Sequence, residues 1–300
     1  MEKRDKISII VPCYNEEKTI LPFYQEVEKV LNSMQQVDYE IIFINDGSID
    51  ETQNILRSLA EKDEHCHYLS FSRNFGKEAG MYAGLQEASG DYCVIMDVDL
   101  QHPPALLPEM YHAVSEEGYD CCGGKRCGRT GDGIIRSFCS KMFYKIVKQL
   151  TNMDMSDGYG DFRMMNKNVV NAILEMREYN RYMKGIYSFI GFQTKWIEFE
   201  NIERTEGSSK WHLRSLLSYA EEGILAFSGI PLKLAGMMGI ILILAAVICI
   251  FIRTEIILPV LLLLSGMQML FLYIVGLYVF KDTLENKKRP LYIIKEKDNR

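Results

Sequence analysis

The chain has 300 residues, of which 48% are hydrophobic and 25% are charged, enough for one large globular core or two modest domains. Its formal net charge of -6 argues against a general nucleic-acid-binding protein, because such proteins carry a basic surface. The 8 cysteines form no C-x-x-C pair, and the start MEKRDKISII leads from charged residues directly into a strand. Reduced thiols and no signal peptide are therefore expected.

Up to about residue 125, short apolar runs alternate with longer segments of helical periodicity. The predicted strands lie at ISIIV, YEIIFI, YLSFS and YCVIMD, and the predicted helices lie at LPFYQEVEKVL, at ETQNILRSLAEK and from Lys77 to Ala88. This alternation indicates α/β units with a largely parallel sheet, in which ligands bind beyond the carboxyl ends of the strands. Each strand is followed by a polar cluster: PCYNEE, NDGSIDET, SRNFGKE and DVDLQH. We therefore expect a binding site at that edge.

The stretch MDVDLQHPP places two carboxylates next to the fourth strand. If the strand runs from Tyr92 to Asp97, side chains alternate between faces, and Asp97 and Asp99 project to the same side. Two anions that close require a proton or a cation between them, and a hard divalent ion is the common solution. A helix-capping loop is the alternative, because Asp is frequent in turns and Pro is frequent in the first helical turn. The motif alone leaves both readings open.

An amphipathic basic helix is predicted from Gly133 to Leu150, with apolar residues at helical spacing. Such a helix lies either on a lipid surface or against the sheet, and the sequence leaves both possibilities open. After Gly191 the pattern predicts a strand at FQTKWIEFE, a polar loop at NIERTEGSSK and a helix at WHLRSLLSYAEEGILAFS.

Two uncharged apolar runs follow, from Leu234 to Ile252 and from Ile256 to Phe280. Each reaches the roughly 20 residues that a helix needs to cross a bilayer. Only Arg253-Thr254-Glu255 separates them, which predicts a transmembrane hairpin. Two core helices of a soluble domain would keep a polar face, which these runs lack. Lys233 precedes the hairpin, and four basic residues follow it: Lys281, Lys287, Lys288 and Arg289. Both ends are therefore expected in the cytoplasm.

Six motifs in order carry a resemblance to a known family: VPCYNEE, NDGSIDET, SRNFGKEAG, MDVDLQHPP, GDFRMMN and RTEGSSK. With the two-helix anchor, they resemble bacterial polyprenyl-phosphate glycosyltransferases of glycosyltransferase family 2, which are related to dolichol-phosphate mannose synthases. The resemblance covers essentially the whole chain. It implies an α/β, Rossmann-like GT-A (nucleotide-diphospho-sugar transferase) catalytic domain with interfacial helices over residues 1–230, a transmembrane hairpin over 231–282 and a cytoplasmic tail over 283–300.

The resemblance also assigns residues to the donor. Those that match the metal and diphosphate positions are Asp97, Asp99 and Gln101, and the implied cofactor is Mg²⁺ or Mn²⁺. Those that match the nucleotide-binding positions are Pro12, Tyr14, Glu16, Asp46, Lys77 and Asp97. The chain departs from the commoner pattern at Asn45, where the family has a second acid. For His102 a capping or supporting role is favoured over metal ligation.

For the acceptor, the positions near the diphosphate and the acceptor phosphate are matched by Arg126, Arg204, Ser209 and Lys210. The catalytic residues implied are Asp161 and Asp99, with Asp157 as the alternative to Asp161. A phosphate monoester is already largely ionised at neutral pH, so Asp161 need not act as a general base. Besides a general base, two other roles for Asp161 stay open. It could orient Arg163 or the sugar, or it could form a structural salt bridge.

The expected function is the inverting transfer of one sugar from a nucleotide sugar, a UDP-hexose, to undecaprenyl phosphate at the cytoplasmic face of the bacterial inner membrane. A homo-oligomer, a tetramer by resemblance, and no nucleic-acid partner are expected. One alternative, a processive polysaccharide synthase, is disfavoured because Q-x-x-R-W is absent and only two spanning helices are predicted. Another, an inactive membrane scaffold or a subunit that binds a sugar-lipid, is disfavoured by the intact Asp97, Asp99 and Gln101.

Overall fold

The computed structural model describes residues 4–127, 159–179, 181–200, 237, 241 and 257–298. Its strands are β1 (Asp5–Cys13), β2 (Val37–Asn45), β3 (Cys66–Phe71), β4 (Tyr92–Ile95), β5 (Cys121–Cys127), β6 (Tyr159–Asn166), β7 (Thr194–Glu200) and β8 (Ile294–Lys297). Its helices are α1 (Ile20–Ser33), α2 (Thr52–Lys62), α3 (Lys77–Glu87), a 3₁₀ turn (Pro104–Leu106), α4 (Leu107–Ser115), α5 (Lys167–Glu175), α6 (Met183–Ile190) and α7 (Ile257–Asn286).

The eight strands form one mixed sheet in the order β7-β5-β6-β4-β1-β2-β3-β8. The strands β1 to β4 are parallel to one another, as the alternating apolar pattern predicts. The other half is mixed, because β6 runs antiparallel to both β4 and β5, whereas β7 runs parallel to β5. The predicted α/β fold class is therefore confirmed.

Helices cover both faces of this sheet. Because side chains alternate along a strand, Ile9 packs with α1, α2 and α4, whereas the adjacent Ile10 packs with α3, α5 and α6. Helix α3 lies especially close to the sheet. A Cβ atom at Gly84 would lie 2.2 Å from the Cγ2 atom of Ile10, so this position has room only for glycine. This close packing fixes the position of α3, and therefore the position of its first residue, Lys77, relative to the carboxyl ends of the strands.

One sequence expectation is wrong at the fourth strand. β4 ends at Ile95, two residues earlier than predicted, and the chain turns over the next residues. Leu100 adopts a φ of 58° at the end of this turn. The strand periodicity therefore does not extend to Asp97 and Asp99, and the turn places both carboxylates instead.

The C-terminal tail also differs from expectation. α7 continues to Asn286, beyond the predicted end at Phe280, and the chain then adds β8 antiparallel to the edge strand β3. The Ser72 amide donates to the Ile293 carbonyl at 2.9 Å. Four residues of the predicted tail, Ile294–Lys297, are thus part of the main sheet.

Within the described part of the chain, one helical stretch, Gly266–Asn286, is long and apolar enough to cross a membrane. It is not packed inside the protein, and large apolar side chains such as Leu270 and Phe280 are exposed along it. The first predicted spanning segment, 234–252, lies outside the described residues except for 237 and 241, which are helical. The basic segment 133–150 lies outside them entirely. The two-helix hairpin therefore stays a prediction.

The close contact between α3 and β1 predicts the effect of a single methyl group. Gly84→Ala should lower the free energy of unfolding by about 1–3 kcal/mol through overpacking against Ile10, although alanine is the better helix former. Thermal unfolding of the purified protein in lipid nanodiscs measures this change. Gln25→Ala, on the exposed face of α1, is the control and should stay within about 0.5 kcal/mol. A Gly84→Ala protein as stable as the wild type would contradict the close approach.

Candidate active site

Three charged side chains meet at the carboxyl ends of the central strands. The Lys77 Nζ atom at the start of α3 lies 2.6 Å from the Asp97 Oδ1 atom and 3.1 Å from the Asp161 Oδ2 atom. Asp97 follows β4, and Asp161 lies on β6. The fold thus brings together three residues that the sequence analysis selected from three separate motifs.

The electrostatics of this cluster favour the charged forms. Burial alone would raise the pKa of Asp97, but the Lys77 ammonium, together with the Arg126 guanidinium, lowers it to about 2. Burial would likewise lower the pKa of Lys77, but the two carboxylates raise it above its ordinary value. Asp97 is therefore an anion and Lys77 a cation at neutral pH.

His102 contacts both the backbone and the side chain of Asp97. The Asp97 amide donates to the His102 Nδ1 atom at 3.0 Å, and the Nε2 atom lies 3.9 Å from the Asp97 Oδ2 atom. The ring stacks on Phe162, with centroids 4.8 Å apart and planes 9° apart. Burial lowers the pKa of His102 in spite of the nearby Asp97, so the neutral ring can accept this hydrogen bond. These contacts fit the supporting role favoured for His102.

Asp99 and Gln101 lie on the same turn as Asp97. The Gln101 amide donates to the Asp99 Oδ1 atom at 3.1 Å, and the Arg126 NH2 group donates to the Gln101 Oε1 atom at 3.5 Å. Two half-buried carboxylates and an amide oxygen are hard donors, which suit Mg²⁺ or Mn²⁺. Among the described residues no three His, Cys, Asp or Glu side chains form a ready metal cluster. The donor set therefore fits an ion that also takes oxygen ligands from a phosphate.

Asp46 joins two loops at the same edge. Its Oδ1 and Oδ2 atoms accept hydrogen bonds from the Phe75 and Gly76 amides at 2.6 Å and 2.9 Å. Burial raises the pKa of Asp46, although both hydrogen bonds oppose the shift. Next to it, Gly47 has a φ of 67°, and a Cβ atom there would lie 2.3 Å from the Arg73 carbonyl carbon. Asp46 thus has a clear structural role beside the nucleotide-binding role that the resemblance assigns.

The loops after β1 and β2 are connected by asparagine and serine side chains, of which the sequence analysis singled out Asn45 but not Asn15 or Ser48. Asn45 Oδ1 accepts from the Ser48 amide at 3.0 Å, and Ser48 Oγ accepts from the Asn15 amide at 2.9 Å. Asn15 Oδ1 in turn accepts from the Ile49 amide at 2.9 Å, with a φ of 54° at Asn15. A sequence clue was available, because asparagine tolerates positive φ better than most residues.

The other residues assigned to the nucleotide lie on the same loop or beside it. Pro12 is the second-last residue of β1 and packs near Gly80 of α3. Tyr14 and Glu16 are half-buried in the following loop, where Glu16 Oε2 accepts a hydrogen bond from the Thr19 hydroxyl at 2.8 Å. The predicted nucleotide-binding residues therefore share one edge of the sheet.

The half-buried Glu78 follows Lys77 on α3. Its Oε2 atom accepts a hydrogen bond from the Met183 amide at 3.1 Å, and burial, with the charge of Asp161 adding to it, raises the pKa of Glu78 above its ordinary value. The Arg163 guanidinium lies 3.6 Å from the Tyr187 ring centroid and 5.2 Å from that of Trp196. Its side chain donates to the Gly160 carbonyl at 3.3 Å. Glu78, Tyr187 and Trp196 were not selected from the sequence.

Some predicted residues lie outside the described part of the chain. They are Asp157, Arg204, Ser209 and Lys210. The geometry above therefore describes the donor side of the predicted site, together with Asp161 and Arg126, which the resemblance also relates to the acceptor.

The site can be compared with known proteins. Residues 8–174 match the family described as Glycosyl transferase family 2. The chain is 40% identical to a glycosyltransferase named CsbB from Bacillus subtilis, over 98% of this chain and 92% of that protein. It is 37% identical to the prophage bactoprenol glucosyl transferase homolog of Escherichia coli K12, over 97% and 98% respectively.

A solved structure shows a similar fold. Glucosyl-3-phosphoglycerate synthase from Mycobacterium tuberculosis, in complex with Mn²⁺, UDP-glucose and phosphoglyceric acid, matches 74% of this chain and 78% of its own, with a TM-score of 0.50. The two sequences are 18% identical, so this likeness concerns the fold alone.

The ion pair between Lys77 and Asp97 predicts that removing the lysine strengthens cation binding. Lys77→Met should tighten the binding of Mn²⁺ in the absence of nucleotide by about fivefold, because it frees Asp97 from a half-exposed ion pair worth about 1 kcal/mol. Titration calorimetry with the purified protein measures this affinity. Lys195→Met, which removes an equal charge from a similarly half-exposed pair with Glu117, is the control and should leave Mn²⁺ binding unchanged. Weaker or unchanged Mn²⁺ binding by Lys77→Met would contradict this role of Lys77.

Proposed function

The chain belongs to glycosyl transferase family 2 and is a glycosyltransferase, and we propose that it transfers one sugar from a nucleotide-sugar donor, a UDP-hexose, to undecaprenyl phosphate. The observation that carries this proposal is the cluster of Lys77, Asp97 and Asp161 beside Asp99 and Gln101, at the edge where such sheets bind ligands. Relatives that match along almost their whole length are named bactoprenol glucosyl transferases, which supports a polyprenyl acceptor.

The donor side of the site must neutralise the negative charge of the leaving group. Breaking the bond between the sugar and the diphosphate leaves a nucleoside diphosphate with additional negative charge. A divalent ion, Mg²⁺ or Mn²⁺, held by Asp97, Asp99 and Gln101, supplies part of the neutralising charge when bound. Lys77 and Arg126 supply the rest from the chain itself, as a point charge and a planar guanidinium that suit phosphate oxygens.

The acceptor needs orientation more than activation. A phosphate monoester has its second pKa near 6, so its oxygen is already anionic at neutral pH. That oxygen attacks the anomeric carbon in line as the bond to the diphosphate oxygen breaks, which inverts the anomeric centre. In this proposal Asp161 holds Lys77 and the sugar in place, and no general base is required.

The acceptor phosphate is assigned to Arg204, Ser209 and Lys210. Arg204 and Lys210 flank the predicted Gly-Ser-Ser loop, to which Ser209 belongs, and this segment precedes the predicted spanning helices. The two basic side chains would supply charge-assisted donors to an anionic head group. The lipid tail stays in the bilayer. We further propose a homo-oligomer, a tetramer as in the family that the sequence resembles.

The sheet supports the proposed membrane arrangement, with a catalytic domain over residues 1–230, a hairpin over 231–282 and a tail over 283–300. β7 and β8 belong to one sheet, so the chain lies on the same side of a membrane at Glu200 and at Ile294. If α7 crosses the membrane, the number of crossings between these residues must be even. A second crossing is then required between 201 and 256, and the apolar run 234–252 is long enough for it. The catalytic domain and both termini would face the cytoplasm.

Turnover with a panel of nucleotide sugars and undecaprenyl phosphate tests the activity of the purified protein. One donor should release its nucleoside diphosphate only when the lipid phosphate is present. Asp99→Asn and a chelator should each lower this turnover by about a hundredfold or more. Glu109→Gln, on the exposed face of α4, is the control and should retain wild-type turnover. Turnover that survives the chelator would contradict the metal assignment, and turnover without the lipid would contradict the acceptor.

Cysteine labelling in intact cells tests the topology. Thr254→Cys should react with a membrane-impermeant maleimide added outside, whereas Arg300→Cys should react only after lysis. Five cysteines, Cys13, Cys66, Cys93, Cys121 and Cys122, are buried and should contribute little background. Labelling of position 300 from outside would contradict the hairpin and the even number of crossings.

A further inference from the structure

Asp161 lies in a bulge of β6. The register between β5 and β6 changes at this point, as the pairs on either side show: Gly123 with Arg163, and Lys125 with Tyr159. Between these pairs β5 has one residue and β6 has three, 160–162. Bulges redirect side chains and are frequent beside active sites. The middle residue of this bulge is Asp161, whose Oδ2 atom lies 3.1 Å from the Lys77 Nζ atom.

The side chain of Arg163 closes this bulge. Its NH2 group donates a hydrogen bond to the Gly160 carbonyl at 3.3 Å. That carbonyl belongs to the peptide bond between Gly160 and Asp161, so the hydrogen bond acts on the backbone that directs the Asp161 side chain. Arg163 is only 6% exposed, and a hydrogen bond from a charged donor is stronger than one from a neutral donor.

Two aromatic rings hold the guanidinium group of Arg163. Its carbon lies 3.6 Å from the ring centroid of Tyr187 on α6 and 5.2 Å from that of Trp196 on β7. Gly123 lies between Arg163 and Trp196 in the sheet, and a Cβ atom there would lie 2.4 Å from the Trp196 ring. The missing side chain of Gly123 therefore leaves room for the indole. Stacked contacts of this kind fix a planar guanidinium in place.

A second side chain of the bulge packs on the other face of the sheet. The Phe162 ring stacks on His102, and a Cβ atom at Gly124 would lie 2.7 Å from it. This packing offers a competing explanation of the bulge. If Phe162 alone set its shape, Arg163 would be dispensable for the position of Asp161.

We propose that Arg163 is a positioning residue for Asp161. Held by Tyr187 and Trp196, it closes the bulge and thereby directs the Asp161 carboxylate to Lys77 and to the sugar. The inference rests on the proposed function, which places Asp161 beside the sugar, and it deepens that function by naming what holds Asp161 there.

Hydrogen exchange of the full-length protein in nanodiscs measures the bulge without any turnover. Arg163→Met should raise the exchange rate of the amides of 159–163 by about tenfold, because the hydrogen bond that closes the bulge is lost. Arg163→Lys keeps a charged donor and should recover part of the protection.

Arg181→Met is the matched control. Arg181 is also 6% exposed, its guanidinium carbon lies 4.4 Å from the Tyr82 ring centroid, and it donates to the Ile173 carbonyl of α5 at 3.3 Å. Arg181→Met should leave the exchange of 159–163 unchanged and keep kcat within about twofold of the wild type.

Steady-state kinetics with a nucleotide sugar and undecaprenyl phosphate measure the consequence for the reaction. Arg163→Met should lower kcat by about tenfold to a hundredfold, because a small displacement of a positioning group is costly. The binding of UDP with Mn²⁺ should stay within about twofold, since the turn after β4 is unchanged. The unfolding temperature should stay within about 4 °C, because an apolar side chain of similar volume often replaces a buried charge without loss of stability.

A double variant tests whether Arg163 acts through Asp161. In an Asp161→Asn protein, Arg163→Met should lower kcat by less than about threefold further, since the residue that it positions is already altered. Independent losses that multiply would overturn the inference, and so would unchanged exchange of 159–163 in Arg163→Met. An equal loss of kcat in Arg181→Met would assign the effect to general packing and overturn it too.

Failure of the proposed function has a different result. A wild-type protein that transfers no sugar to undecaprenyl phosphate would overturn that function and, with it, the role of Arg163 toward the sugar. Hydrogen exchange would still show whether Arg163 closes the bulge.

Discussion

An ammonium group held between two carboxylates organises the candidate active site. Lys77, Asp97 and Asp161 come from a helix start, a turn and a strand, and their ion pairs join α3 to both β4 and β6. Two half-buried anions this close would repel without a cation. The lysine therefore allows two acids to lie close together at this edge of the sheet. In the proposed function, a divalent ion held by Asp97 would leave the lysine available for a phosphate oxygen of the donor.

The acids of the site are oriented by the backbone around them. His102 accepts from the Asp97 amide, and Asp46 accepts from the amides of Phe75 and Gly76. Such contacts fix the direction of a carboxylate before any substrate arrives, and a preorganised environment costs no rearrangement during the reaction. The close packing of Gly84 on β1 places α3, and with it Lys77, at the depth that these contacts require.

The sheet itself joins the catalytic domain to the predicted membrane anchor. Its last strand follows α7, and Glu296 ties that strand to Arg57 and Tyr68. The anchor therefore cannot move far relative to the site without breaking strand pairing. In the proposed function the donor is soluble and the acceptor lies in a bilayer, and this connection would then hold the donor site at a constant distance from the lipid head groups.

The sequence by itself determined the parallel half of the sheet, the helices between its strands and the polar edge where Asp46, Lys77 and Asp97 lie. These features follow from apolar periodicity and from side chains at strand ends, which are properties of short segments. Only the tertiary structure decided that Lys77 pairs with Asp161 and that a turn carries Asp97. It alone decided that β8 completes the sheet, because a four-residue strand with little apolar periodicity gains its stability from the open edge of β3 and from contacts with residues far away in the chain.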